Sequence, residues 1–266
     1  MALDAVVTAS RVRWRPADGA VTSSRVLAEE TPVALVHDGS TTAVMMATPA
    51  DLEELGVGFS LTEGIVGSAS EILSLEVAAS ELGVEVRMWL APDRTRDLAA
   101  RRRHLAGPTG CGLCGIESLA EAVRPSSPRR MDDFAVAGAD LISAMELMGA
   151  AQVLGEATRA VHAAGLWRSG APLLVREDVG RHNALDKLVG AVAQARVSTD
   201  GVLLLTSRVS VEMVQKAAVL GARVICAVSA PTALAVRTAE ACGLTLVAVT
   251  RSDGFEVFSH AGRLRL

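Results

Sequence analysis

The feature that most constrains the fold is a rhythm in the last hundred residues. Four short apolar runs, Pro172–Val175, Gly201–Thr206, Arg223–Ser229 and Leu244–Val249, are separated by amphipathic stretches. The runs are apolar at consecutive positions, so both of their faces must be buried. The stretches Asn183–Ala195, Ser210–Leu220 and Thr232–Cys242 repeat their apolar residues with a helical period. Strands buried on two faces and joined by helices predict a parallel sheet with helices on both sides. Gly243 follows the last of these helices and is the residue type expected to end it.

The earlier part of the chain reads differently. Pro32–Val36 and Thr42–Met46 flank His37-Asp-Gly-Ser40 and predict a hairpin. Thr48 and Pro49 read as the N-cap and first residue of a helix with Leu52, Leu55 and Phe59 on one face. Val84, Val86 and Met88 alternate within a further strand region, Glu76–Leu90, and Leu141–Ala164 reads as one long helix. Pro125-Ser-Ser-Pro128 reads as a linker. Two domains are therefore expected, residues 1–125 and 130–266.

With 266 residues, 50% hydrophobic and 21% charged, the chain can build both cores. Aromatics are only 3% and tyrosine is absent, so those cores rest on Ala, Val and Leu. A net charge of -4 gives no general pull toward nucleic acid or membrane, and neither is expected as a partner. No apolar run reaches the ~18 residues of a membrane span. The first residues lack the apolar core of a secretory signal, so a reducing cytoplasm is the expected compartment.

In sheets of this kind, ligands sit beyond the carboxyl ends of the strands. Each predicted strand is followed by polar residues there: Arg176–Asn183, Ser207–Ser210, Ser229–Thr232 and Thr250–Gly254. These loops carry Arg181, His182, Arg208 and Arg251, with Lys187 and Lys216 one turn into the helices. Helix starts at the same ends add free N–H groups. A solvated loop edge would explain any one of these residues. Four loops together point to a polyanionic ligand, a phosphate or pyrophosphate.

The stretch Thr109-Gly-Cys-Gly-Leu-Cys-Gly115 sets two thiols among glycines. Zinc is one reading, but Cys226 and Cys242 lie in a strand and at a helix end and do not repeat the pair. A zinc deaminase needs an H-x-E motif that the chain lacks. No metal site and no zinc are therefore expected. A dithiol oxidoreductase fits poorly, because its motif opens a helix and is not framed by glycines. The third reading is a sulfur carrier, whose thiolate sits on a mobile loop. Arg94, Arg96, Arg101, Arg102 and Arg103 upstream would favour the thiolate, although a run of this kind also suits a plain solvated face. Cys114 is placed to attack or to hydrogen-bond a persulfide on its neighbour.

Several stretches coincide with one family. TGCGLCG, VREDVGRHNALDKLVG (175–190), SRVSVEMVQKA (207–217), AVSAPTALAV (227–236) and GLTLVAVTR (243–251) resemble the formate dehydrogenase accessory sulfurtransferases, the FdhD family. TPADLEELGVGFSLTEGIV (48–66) resembles that family's N-terminal helix. The resemblance implies an α/β fold with a small α/β N-terminal domain and a cytidine-deaminase-like three-layer α/β/α C-terminal domain without the zinc site. It implies a sulfurtransferase that accepts persulfide sulfur from a cysteine desulfurase. The sulfur would pass to the molybdenum cofactor, bis-molybdopterin guanine dinucleotide, which is bound as a substrate. The formate dehydrogenase catalytic subunit would be the beneficiary, and a homodimer is implied.

By motif, Cys111 would carry the persulfide, with Cys114 beside it, and Val249, Thr250, Arg251, Ser252, Asp253 and Gly254 would bind the cofactor. Arg181, His182, Arg208 and His162 would join them. The chain departs from the family at Thr158-Arg-Ala-Val-His162, where a Thr-Gly-Gly run is usual, and at Val249, where Phe is usual. The competing function is a non-catalytic chaperone that binds the molybdenum cofactor without transferring sulfur. A zinc-stabilised module is the third.

Overall fold

The computed structural model describes residues 4–104 and 134–266. The first strands, β1 (Val6–Arg15) and β2 (Gly19–Ala28), form an antiparallel hairpin that joins no other sheet among the described residues. Next come β3 (Thr31–His37), β4 (Ser40–Ala47), β5 (Ile72–Ser80) and β6 (Gly83–Leu90), in the order β4-β3-β6-β5. The expected hairpin is β3–β4, and Val84, Val86 and Met88 face the core as their alternation requires. Helix α1 (Leu52–Thr62) lays Leu52 and Leu55 on that sheet, against Val33 and Leu35. Helix α2 (Pro92–His104) follows β6.

The second part is built on a six-stranded sheet. Its strands are β8 (His162–Trp167), β9 (Leu174–Asp178), β10 (Val202–Leu205), β11 (Val224–Ala227), β12 (Thr245–Arg251) and β13 (Gly254–Ser259), in the order β13-β12-β11-β10-β8-β9. Short strands β7 (Val136–Ala137) and β14 (Leu264–Arg265) pair beside it. Helix α3 (Gly138–Ala151) covers one face with Leu141, Ala144 and Met148. Helices α5 (Arg181–Ala195), α6 (Val211–Leu220) and α7 (Ala233–Cys242) cover the other with Leu185, Leu188, Met213, Ala217 and Ala239. A short helix, α4 (Val153–Thr158), leads from α3 into β8. The layering is α/β/α.

Two expectations need correction. The sheet is mixed: only β10, β11 and β12 are parallel neighbours, while β8 and β13 run antiparallel to theirs. The expected long helix over Leu141–Ala164 is α3, α4 and then β8. The sequence His162-Ala-Ala-Gly-Leu-Trp167 has no β-branched residue, so its strand character comes from pairing with β9 and β10 rather than from propensity. The linker expected at 125–128, and with it the domain boundary, lies outside the described residues.

The two halves meet where α1 crosses α5. A Cβ on Gly58 would lie 1.7 Å from the Asp186 carbonyl oxygen, and one on Gly190 would lie 1.9 Å from that of Glu54. The helices touch backbone to backbone, which only glycine permits. Charged pairs ring this crossing. Lys216 donates to both Asp186 oxygens at 2.8 Å, and Thr62 donates to Asp186 at 2.7 Å. Arg176 binds both carboxylate oxygens of Glu54, Nη2 donating at 2.7 Å.

Asp178 and Lys187 form a second pair at 2.6 Å with neither side chain exposed. Asp178 also accepts from the Thr48 and Gly180 amides and from Asn183, and Lys187 donates to the Thr48 carbonyl. Each buried charge is thus both paired and hydrogen-bonded, as burial requires. Thr48 is therefore not a helix N-cap: its hydroxyl accepts from the Val179 amide, and α1 begins four residues later, after Asp51 in a left-handed conformation.

Candidate functional site

Strand direction defines one edge of the sheet. β9 is antiparallel to β8, and β8 is antiparallel to β10, so β9 runs the same way as β10, β11 and β12. The carboxyl ends of all four strands share that edge. His162, which opens β8 opposite Asp178, shares it too. From β9 to β12 there are four strand spacings, ~19 Å. Helices α5, α6 and α7 start at this edge, after Gly180, Ser210 and Thr232. The loops after β10 and β11 are fastened together by a Val209–Pro231 bridge and by the Thr232 amide donating to the Val209 carbonyl.

The β9 end holds Arg181 and His182 at the start of α5. Arg181 Nε and His182 Nε2 are buried and have no hydrogen-bond partner among the described residues. Burial, with Arg181 and Lys216 nearby, pushes the His182 imidazole down to about 4, and Glu212 and Glu63 only partly offset this. Burial and Arg181 also lower His162. Both rings are uncharged at neutral pH, and each has one nitrogen that donates and one that accepts a hydrogen bond.

Arg208 is exposed in the loop after β10. At the β12 end, Arg251 is exposed and Nη1 donates to the carbonyls of Val228 (2.6 Å) and Thr250 (2.8 Å). This fixes its stem and leaves Nε and Nη2 for other partners. Val249 takes a left-handed conformation, φ 54°, where the ladder to β13 shifts register between Ala248 and Arg251. A β-branched residue there costs about 1–3 kcal/mol. Beyond it Ser252 and Asp253 form the exposed turn between β12 and β13.

The structure thus places Arg181, His182, His162, Arg208 and the 249–254 turn along one edge. It removes Lys187 and Lys216, which the sequence had set there. Both are buried in ion pairs, Lys216 with Asp186 at the α1–α5 crossing and Lys187 with Asp178 at the end of β9. Arg159 adopts a left-handed conformation (φ 58°), the region that favours glycine, and ends α4. Glu177 caps the start of α4 by accepting from the Leu154 and Gly155 amides, a role no local pattern announced. Cys226 and Cys242 are core residues, and burial raises the Cys226 thiol to about 11. Cys111 and Cys114 lie outside the described residues, as does their expected mobile loop. Among the described residues no cluster of three His, Cys, Asp or Glu side chains is arranged to hold a metal, and no helix is long and apolar enough to cross a membrane.

His182 makes a testable contribution to stability. Its folded value lies below the ordinary histidine value of 6.5, so the unfolded chain takes up the proton first as pH falls. The stabilisation is whole above pH ~6.5 and is lost as pH falls from there toward about 4. Between pH 7 and pH 5 the wild type should lose about 2 kcal/mol more than His182→Gln in urea unfolding. Parallel pH profiles for the two proteins would show that the ring is solvated.

An α/β/α domain whose strand ends and helix starts form an arginine-bearing edge, joined through a glycine crossing to a small α/β part, defines the class. Within it, the chain belongs to the FdhD/NarQ family, whose model matches residues 28–265. It is 52% identical over 247 residues to the sulfur carrier protein FdhD of Agrobacterium fabrum, covering 92% of this chain and 91% of that one. The sulfur carrier protein FdhD of Cupriavidus necator is 48% identical over 256 residues, covering 95% and 88%. A crystal structure from Desulfotalea psychrophila, provisionally named a formate dehydrogenase accessory protein, superposes with a TM-score of 0.76 at 27% identity. It covers 98% of this chain and 100% of its own.

Proposed function

We propose that this chain is a sulfurtransferase that takes persulfide sulfur from a cysteine desulfurase onto Cys111. It passes that sulfur to the molybdenum cofactor, bis-molybdopterin guanine dinucleotide, and so activates formate dehydrogenase. The observation that carries the ligand part is the shared edge: Arg181, His182, His162, Arg208 and the Val249–Gly254 turn over ~19 Å, with three helix starts. A single phosphate needs no such length, whereas a nucleotide with a pyrophosphate does. Guanidinium groups hold phosphate oxygens in pairs, and helix N–H groups complete their shell. The names of the curated relatives support the sulfur part.

Cys111 would hold the sulfur as Cys–S–SH. Attack of the Cys114 thiolate on the inner sulfur would expel hydrosulfide and leave a Cys111–Cys114 disulfide, so the electrons for release come from the second thiol. The bound cofactor supplies the metal that takes the sulfur as a ligand. The uncharged rings of His182 and His162 offer hydrogen bonds without adding charge to the edge. Calorimetric titration of GDP into wild type and Arg251→Ala tests the ligand site. The variant should bind about 1.5–3 kcal/mol more weakly, since a charged hydrogen bond is lost. Equal affinities would remove Arg251 from the site and leave the edge without its β12 end.

A further inference from the structure

The β1–β2 hairpin lies before the part of the chain that the family model matches, and the function proposed above makes no use of it. Its sequence is patterned. In β1, Arg11, Arg13 and Arg15 alternate with Val12 and Trp14, and successive strand residues face opposite sides. The register sets Arg13 opposite Val21, Arg11 opposite Ser23 and Ala9 opposite Arg25. Arg25 therefore shares the face of Arg11, Arg13 and Arg15. The two strands carry these four arginines and no acid, in a chain whose net charge is -4. Among the described residues only Arg13 of the four has a carboxylate partner, Asp18 in the turn at 3.6 Å. Arg11 donates from Nε to Ser23, which leaves its outer nitrogens free.

The position of this face matters as much as its charge. Arg25 donates to the Thr158 carbonyl at 3.0 Å, at the end of α4. Thr158 is followed by left-handed Arg159 and, four residues on, by His162 on the site edge. The basic face thus starts beside the mouth of the edge. From Ala9, opposite Arg25, to Arg15 it extends for ~20 Å, with Arg11 and Arg13 half-buried and Arg15 and Arg25 exposed.

We propose that the arginine face of the β1–β2 hairpin is the docking surface for an acidic protein partner, which it holds beside the ligand edge. A face of only two strands is not the concave, enclosing shape that buries a small molecule. A nucleic-acid strand would want aromatic rings on the same face as the arginines, to stack its bases. Alternation instead puts Trp14 on the opposite face, 69% exposed. Guanidinium groups on alternate residues, ~7 Å apart, match carboxylates on alternate residues of an opposing strand or loop. The role of this partner in giving or receiving the sulfur or the cofactor rests on the function proposed above. Binding of an acidic chain to the face does not.

The test uses the full chain and a fluorescein-labelled polyglutamate peptide, followed by anisotropy at low and at physiological salt. The Arg11→Thr/Arg13→Thr/Arg15→Thr variant keeps strand-forming residues and should bind the peptide about tenfold more weakly, since each exposed pair is worth little and three are lost. The matching Arg→Lys triple variant keeps the charge and should stay within about threefold of wild type. GDP affinity should be equal in all three proteins, and Arg251→Ala should leave peptide binding unchanged. Equal peptide binding by wild type and the Thr variant would overturn the proposal. So would an oligothymidylate that binds the wild type more tightly than polyglutamate does, or a parallel loss of GDP affinity in both triple variants. Failure of the GDP site alone, with peptide binding still lost on the Thr substitutions, would count against the proposed function and not against the docking face.

Discussion

Replacing Gly58 with alanine is expected to destabilise the protein by about 3–6 kcal/mol. The new Cβ would sit 1.7 Å from the Asp186 carbonyl oxygen, 2.6 Å from its carbon and 2.9 Å from the Gly190 amide. All three are backbone atoms, so no rotamer change can make room. The helices must move apart, and that movement opens the ring of charges around the crossing. Asp186 is buried, with Lys216 and Thr62 as partners, and burial already pushes its carboxyl pKa up against their pull. Drawing these groups apart leaves a buried charge uncompensated, which costs more than the steric overlap itself.

Gly190→Ala should behave in the same way, because its Cβ would meet the Glu54 carbonyl oxygen at 1.9 Å. Gly149, in α3, has nothing within 4 Å of its added Cβ. There alanine should stabilise by about 0.5–1 kcal/mol through helix propensity alone. Urea unfolding of the three variants, followed by circular dichroism, separates these outcomes. A loss at Gly58 no larger than about 1 kcal/mol would mean that the halves are not locked through this crossing.

The contrast between Lys187 and Arg181 shows what was legible in the sequence. Both fall just after the β9 run, in a motif that reads as one polar loop leading into a helix. Arg181 stays at the edge because it is the first residue of α5. Lys187 lies two turns in, on the face that packs against the Thr48 carbonyl and Asp178. Nothing within α5 tells the two apart. The difference comes from α1, which arrives from more than a hundred residues away, and long-range partners leave no local period to read.

The edge itself survived a wrong sheet type for a physical reason. β8 inserts between β9 and β10 and runs opposite to both, so two reversals return β9 to the expected direction. Each strand end was fixed by its own apolar run and the polar loop after it, and those are local signals. β8 was missed because Ala and Gly carry little strand preference, and because helical periodicity ran on from α3 into it. The β1–β2 hairpin was missed for the opposite reason: alternating arginines on an exposed arm bury no apolar face, so the period-two pattern has no core to point at.

Cys111→Ala is expected to abolish sulfur acceptance and formate dehydrogenase activation while leaving GDP affinity unchanged. The burial of the other two thiols carries the first effect. Cys226 and Cys242 are buried at 0% and 2% exposure, and the Cys226 thiol, raised to about 11, stays protonated at neutral pH. Neither can meet a donor protein's persulfide, because the attacking species is an accessible thiolate. Cys111 and Cys114 are therefore the thiols left to accept sulfur. A persulfide on Cys111 in wild type, seen as the added mass of one sulfur after incubation with a desulfurase and cysteine, should vanish in Cys111→Ala. It should persist in Cys114→Ala, which lacks the thiol that would release the sulfur, so that variant should load sulfur and deliver it only in part. In the proposed function GDP binds at the strand-end edge and sulfur is carried on Cys111, so GDP affinity measures the second function separately. If cells lacking the native protein regain formate dehydrogenase activity with Cys111→Ala but not with Arg251→Ala, sulfur transfer is not the task, and the protein serves as a cofactor-binding chaperone.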